Sequence, residues 1–212
     1  FRLVGPRLDH EHELVALLQA VDHGRSKFRR SGDEADLGRE PVRAAVAMDA
    51  NEAVAGDPAW LWEIGKEDRD DREFAFAPGD YARFKEDPVF IIGQSDAKRD
   101  WPYVHPGPAD GWAGARKHIF TVVFALAGAP AGEGKLAVAL VDAHAGTPPQ
   151  LGIRINGKAF DRQMGAGAGD VSVNGQPERG KPQRFEIALP AGLLKAGSNV
   201  VEIENGAGSW IL

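Results

Sequence analysis

The 212-residue chain contains no cysteine. That absence excludes a disulfide scaffold, a thiolate zinc site and a cysteine nucleophile, and it leaves the compartment open. Long apolar runs are missing too. The longest stretches are short, such as Phe120-Thr121-Val122-Val123-Phe124-Ala125-Leu126. A membrane helix needs roughly 20 apolar residues, so no span is expected. Basic charge is scarce: 25 Lys and Arg face 31 Asp and Glu, for a net charge of −6. A nucleic-acid partner is therefore not expected, because such binders present a basic face. No G-x-S-x-G element suggests an esterase. No H-E-x-x-H or EF-hand spacing marks a metal. No charged-then-apolar leader follows Phe1, and the apolar end Gly208-Ser209-Trp210-Ile211-Leu212 simply stops. The sequence reads as a section of a longer polypeptide, so the missing leader does not bear on export.

The chain falls into two textures, with the expected boundary near residue 56. In the N-terminal extension, 1–56, Leu14, Leu17, Leu18 and Val21 recur at helical spacing, with Asp9 as N-cap and Gly24 as stop. A basic cluster, Arg25, Lys27, Arg29 and Arg30, and a polar loop, Ser31 to Asp36, follow. Val42, Ala44 and Val46 suggest a short strand, and Gly56-Asp57-Pro58 a closing turn. His10 and His12 would diverge by about 200° on a helix and cannot share a metal.

Residues 57–212 read as short strands punctuated by Gly and Pro. Candidate strands are Val89 to Ile92, Lys117 to Leu126, Lys135 to Asp142, Leu151 to Ile155, Lys158 to Met164, Gln183 to Leu189, Val200 to Glu204 and Ser209 to Leu212. Leu136, Val138 and Leu140 alternate with small residues, and Phe185, Ile187 and Leu189 with polar ones. Period-two alternation predicts sheets with one buried face. Asn156-Gly157 between two runs predicts a type I′ hairpin, because both residues tolerate positive φ. The expected fold is all-β, a jelly-roll β-sandwich with a short helical or irregular N-terminal extension. The stretch Gly165 to Asp170 reads as a flexible loop, since it lacks the ending of a phosphate loop and opens no helix.

The densest polar-aromatic cluster runs from Asp100 to Trp112 and holds Trp101, Tyr103, His105 and Trp112 among three prolines. Flat rings pack on the C–H faces of sugars, and a stiff loop loses little entropy on binding. The candidate carbohydrate-binding residues are therefore Trp101, Tyr103, His105 and Trp112, with Arg116 as polar partner. The competing reading, given more weight, is a proline-braced loop whose aromatics plug one end of the sandwich. Arg116, Lys117, His118 and Tyr103 could in principle supply the cation and base of a uronide elimination, but neighbours on a strand do not converge. Asp142 and His144 flank a strand end without metal-ligand spacing, and Glu67 to Glu73 reads as a solvated mixed-charge run. No cofactor is expected; a sandwich loop leaves room for a structural calcium ion that no motif calls for.

Trp60-Leu61-Trp62-Glu63-Ile64-Gly65-Lys66-Glu67-Asp68, followed by Glu73-Phe74, resembles the opening of the C-terminal domain of rhamnogalacturonan lyases, polysaccharide lyase family four. Phe90-Ile91-Ile92-Gly93-Gln94-Ser95-Asp96-Ala97-Lys98-Arg99-Asp100-Trp101 resembles that family's x-x-Gly-x-Ser-Asp-x-x-x-Asp-Trp stretch. Leu151 to Gly157 and Leu193-Leu194-Lys195-Ala196-Gly197-Ser198-Asn199-Val200 resemble galactose-binding-like jelly rolls in general. The resemblance runs from Trp60 to Leu212 and does not include the Leu14 to Val21 segment. It implies a carbohydrate-binding-like accessory domain without catalytic residues, because in these lyases catalysis lies in a separate N-terminal β-domain. It implies polysaccharide or oligosaccharide and other domains of the parent chain as partners, and a secreted or periplasmic location. Two alternatives stand beside it: a structural domain bracing the catalytic domain of another secreted carbohydrate-active enzyme, with Trp60, Trp62 and Phe74 packed inward or against that partner, and a lyase in its own right.

Overall fold

The computed structural model describes residues 1–5, 59–77 and 79–212. The expected helix at Leu14 to Val21, the basic cluster, His10 and His12, the strand at Val42 to Val46 and the turn at Gly56 to Pro58 lie outside the described residues. Among those described, nine strands form two sheets. They are β1 (Arg2–Gly5), β2 (Ala59–Glu63), β3 (Val89–Ile91), β4 (His118–Leu126), β5 (Gly134–Leu140), β6 (Gln150–Ile155), β7 (Lys158–Gln163), β8 (Gln183–Leu189) and β9 (Gly197–Ala207). One sheet runs β2-β1-β5-β8 and the other β3-β4-β9-β6-β7. Only β3 pairs in parallel, with β4; the other pairs are antiparallel. The chain crosses from sheet to sheet between β2 and β3, β4 and β5, β5 and β6, β7 and β8, and β8 and β9, the alternation of a jelly-roll sandwich. Among the described residues no helix is long and apolar enough to cross a membrane.

Alternation builds the core as the sequence predicts. In β4 the inward set is Phe120, Val122 and Phe124, and it meets Leu136, Val138 and Leu140 of β5 and Ile187 and Leu189 of β8 in one cluster. Each inward side chain leaves water as the two sheets close, which is the main driving force of the fold. The predicted β-hairpin also forms: Asn156 and Gly157 sit at φ +48° and +83°, a pairing that joins β6 to β7 with the twist of its strands.

Three features go beyond the local pattern. At the chain's first residues, β1 lies in the four-stranded sheet between β2 and β5, with Leu3 paired to Trp62 and Leu136 and fully buried. Ser209 to Leu212 is not a regular strand. After β9 the tail bends, and Ile211 alone bridges His105 on one side and Ala143 on the other. The glycine-rich loop is largely exposed but is pressed against the body at Gly167. A Cβ on Gly167 would fall 1.6 Å from the carbonyl oxygen of Ala143, so only glycine fits there.

Candidate functional site

A one-turn helix, α1 (Ala97–Asp100), delivers the chain to the aromatic loop. Asp96 caps it by accepting from Lys98 N at 2.9 Å, and Asp100 returns the bond by accepting from Asp96 N at 2.9 Å. The next residue, Trp101, turns inward. It is 4% exposed, and the rings of Phe1, Phe90 and Phe120 meet it edge-on at 5.2–5.8 Å. Tyr103 is equally buried, stacked on Phe74 at 6.2 Å, and burial pushes its phenol pKa up. His105 stacks face to face on Phe120 at 3.8 Å and donates from Nε2 to the carbonyl of His118 at 3.0 Å. Burial pushes its pKa down to about 4, so the ring is neutral at physiological pH. The loop is then stitched to the C-terminal tail. His105 and Ile211 exchange both backbone bonds, and buried Asp110 accepts from Gly107 N at 2.7 Å and Ser209 Oγ at 2.5 Å.

Trp101, Tyr103 and His105 are therefore buried, with their rings packed on other rings. The cavity they border measures about 70 Å³, room for roughly a few waters. Its mouth carries Arg2 paired with Glu63, and Arg184 paired with Glu67 at 3.5 Å and Glu186 at 3.0 Å.

Trp112 and Arg116 stay at the surface, on the other side of Phe120. Trp112 lies on a single 3-10 turn, Gly111–Ala113, and is half-buried. Tyr81, also half-buried, meets it edge-on at 4.9 Å, and the buried ring of Phe84 lies beneath at 6.4 Å. Arg116 grips Asp87 with two bonds, at 2.9 and 3.1 Å. Asp87 also accepts from His118 Nδ1 at 2.6 Å and from Ile119 N at 3.1 Å. Burial pushes the Asp87 carboxyl up, but the hydrogen bonds from Arg116, His118 and Ile119 outweigh it and hold the pKa below the usual carboxylate range. His118 is wholly buried against Phe84, and its Nε2 donates to Ala113 O at 3.1 Å. One hydrogen-bonded chain thus ties Arg116, Asp87 and His118 to the turn that carries Trp112. The sequence reading missed Tyr81 and Asp87: nothing local signals that either lies beside a loop some thirty residues later.

The groups weighed for uronide elimination form no open site, although Arg116 and His118 meet on Asp87. Arg116 is tied to Asp87, Lys117 reaches Glu204 at 3.1 Å, His118 is sealed from solvent, and Tyr103 lies in a different cluster. Asp142 is spent on structure, accepting from Ala143 N, Ala168 N and Ser172 Oγ at 2.6–2.9 Å. His144 Nδ1 accepts from Thr147 N at 2.9 Å. Among the described residues no group of three or more His, Asp or Glu side chains comes together as metal ligands would. The mixed-charge run is solvated except at Asp71, which is 6% exposed and whose pKa burial raises.

The Leu-Leu-Lys-x-Gly-x-Asn motif has a structural explanation. Asn199, fully buried, accepts from Lys195 N at 3.0 Å and donates to Lys195 O at 2.8 Å and Gly197 O at 3.0 Å. It also accepts from Asn156 Nδ2 at 2.8 Å, so the motif braces the hairpin turn. Trp62, expected to pack inward or against another domain, packs inward, in the core against Phe124 at 5.5 Å.

Residues 60–210 match the family described as CBM-like, polysaccharide lyase family 4, domain III. A rhamnogalacturonate lyase of Dickeya dadantii (strain 3937) is 30% identical over 162 residues, which cover 71% of this chain and 26% of that protein. The chain therefore spans about a quarter of the length of this curated relative. The matched segment begins in β2 and ends at the tail that bridges the aromatic loop, so it contains every strand except β1. On this match, and on a sandwich that places each of the recognised motifs at a turn or a core position, the chain belongs to the CBM-like domain III family of polysaccharide lyase family 4.

Proposed function

We propose that the chain is the non-catalytic, carbohydrate-binding-like accessory domain of an exported polysaccharide lyase acting on rhamnogalacturonan. The observation that carries this reading is the coincidence of the family match with the sandwich, in which the one described meeting of cation, acid and base, Arg116 with Asp87 and His118, is closed on itself with His118 sealed from solvent. The domain's role is then to hold pectic saccharide near a catalytic domain elsewhere in the parent chain. Isothermal titration of the chain with rhamnogalacturonan oligosaccharides tests it. Measurable heat is expected, with no release of unsaturated uronides by ultraviolet absorbance. Absence of binding to any pectic fragment removes the role, and ultraviolet-absorbing product from the purified chain removes the word non-catalytic.

A second reading, a brace for the catalytic domain, is favoured by one surface. On the outer face of the five-stranded sheet, Val89 and Ile91 pair with Thr121 and Val123, which pair with Glu202 and Val200. Val89 is 58% exposed, and Ile91, Ile119, Val123 and Val200 are partly so. A partner seated on this face would cover Val89 and the partly exposed apolar side chains beside it. Under this reading, deleting the domain lowers the melting temperature of the parent enzyme and leaves its KM unchanged. An unchanged melting temperature with a raised KM returns the role to sugar binding.

A further inference from the structure

Resting on the accessory-domain reading, the geometry points to Tyr81 and Trp112, with Arg116 as polar partner, as the shelf on which a pyranose ring of the bound saccharide lies. The rings of Trp62, Phe84, Trp101, Tyr103 and Trp210 are buried. Among the half-buried rings, Phe76 lies under Arg83, Phe160 under Lys158 and Phe185 under Arg162, each cation 5.7–5.9 Å from the ring centre. Phe1 and Phe74 pack on Trp101 and Tyr103. Tyr81 and Trp112 remain as a mutually supporting pair with no cation over either ring among the described residues. A sugar presents one face of C–H bonds and a rim of hydroxyls, so it needs an aromatic surface with hydrogen-bonding groups at its edge.

The pair is held in place before any ligand arrives. Ala113 N and Ala115 N both donate to Asp110 O at 3.1 Å, Ala113 O accepts from His118, and Asp110 is itself locked by Gly107 and Ser209. Phe84 N donates to Tyr81 O at 3.0 Å, fixing the second ring to the same buried anchor. A shelf built on a fixed backbone loses little entropy when it binds. Arg116 spends Nη1 on Asp87 and Lys117 O and one Nη2 hydrogen on Asp87. Its Nε–H and second Nη2 hydrogen meet no acceptor among the described residues and can reach a hydroxyl or carboxylate oxygen of the saccharide.

The test is titration with rhamnogalacturonan oligosaccharides of the unmodified chain, Trp112→Ala, Tyr81→Ala and the core control Trp101→Phe, each checked for its melting transition. Expected are binding by the unmodified chain, at least a tenfold loss (about 1.4 kcal/mol) in Trp112→Ala, a smaller loss in Tyr81→Ala, and unchanged affinity in Trp101→Phe. If Trp112→Ala fails to fold, the indole N–H resonance of Trp112 in the unmodified chain takes its place, and it is expected to shift on titration while that of Trp101 does not. Undiminished affinity in folded Trp112→Ala and Tyr81→Ala, or an unmoved Trp112 resonance at saturation, overturns the shelf and leaves the accessory-domain reading intact. No saccharide binding by the unmodified chain overturns both.

Discussion

Replacing Trp101 with alanine separates a core residue from a ligand-facing one. The side chain is 4% exposed and touched edge-on by three aromatic rings. Emptying a buried tryptophan site costs about 3–5 kcal/mol through lost transfer energy and the residual cavity. Edge-to-face pairs add about 0.5–1.5 kcal/mol each beyond area burial, which places Trp101 toward the upper end. For a chain of this size each kcal/mol moves the melting temperature by about 2–4 °C, so a drop of roughly 10–20 °C is expected. Total stabilities of about 5–15 kcal/mol mean that the variant sits near the edge of folding. Scanning calorimetry reads the melting shift, and guanidinium unfolding followed by circular dichroism reads the free energy. Trp101→Phe keeps a ring in the pocket and should lose less than half as much. A Trp101→Ala protein with wild-type stability and abolished saccharide binding would refute the reasoning, because it would place the ring at a ligand and not in the core.

His105 gives a pH signature. Its folded pKa is lowered by burial to about 4 from an ordinary value near 6.5, with His118 opposing its charge and Asp87 favouring it. The unfolded chain takes up a proton between those values that the folded chain refuses. Stability is therefore complete above about pH 6.5 and falls as pH drops toward 4, by on the order of 3 kcal/mol. Urea unfolding across this range should show a shallower acid limb for His105→Phe than for the unmodified chain, and parallel limbs would contradict the assignment. Asn199→Ala should cost about 1–3 kcal/mol in urea unfolding, since it removes the buried side chain that bonds Lys195 N, Lys195 O and Gly197 O across an exposed turn. A loss below about 0.5 kcal/mol would show that water replaces the side chain there.

Much of the sandwich was legible from local pattern. β4 and β8 follow period-two burial closely, and the Asn156-Gly157 turn requires the positive φ values that its residue types permit. What was illegible depended on partners far along the chain. β1 is four residues long, and its strand character comes from Glu63 and Ala137 on either side, not from its own sequence. The tail from Ser209 looks like a strand, yet Ile211 is shared between His105 and Ala143 and no ladder can grow.

The aromatic loop shows where the division falls. Composition and spacing alone determined that 101–112 would be stiff and ring-rich and that the surrounding chain would form two sheets. They could not determine which way the rings face, because a loop has no periodicity to sort inside from outside. That choice came from the tertiary structure. Phe120 rises from β4 beneath the loop and captures Trp101 and His105, while His118, two residues earlier on the same strand, ties down the turn that leaves Trp112 at the surface.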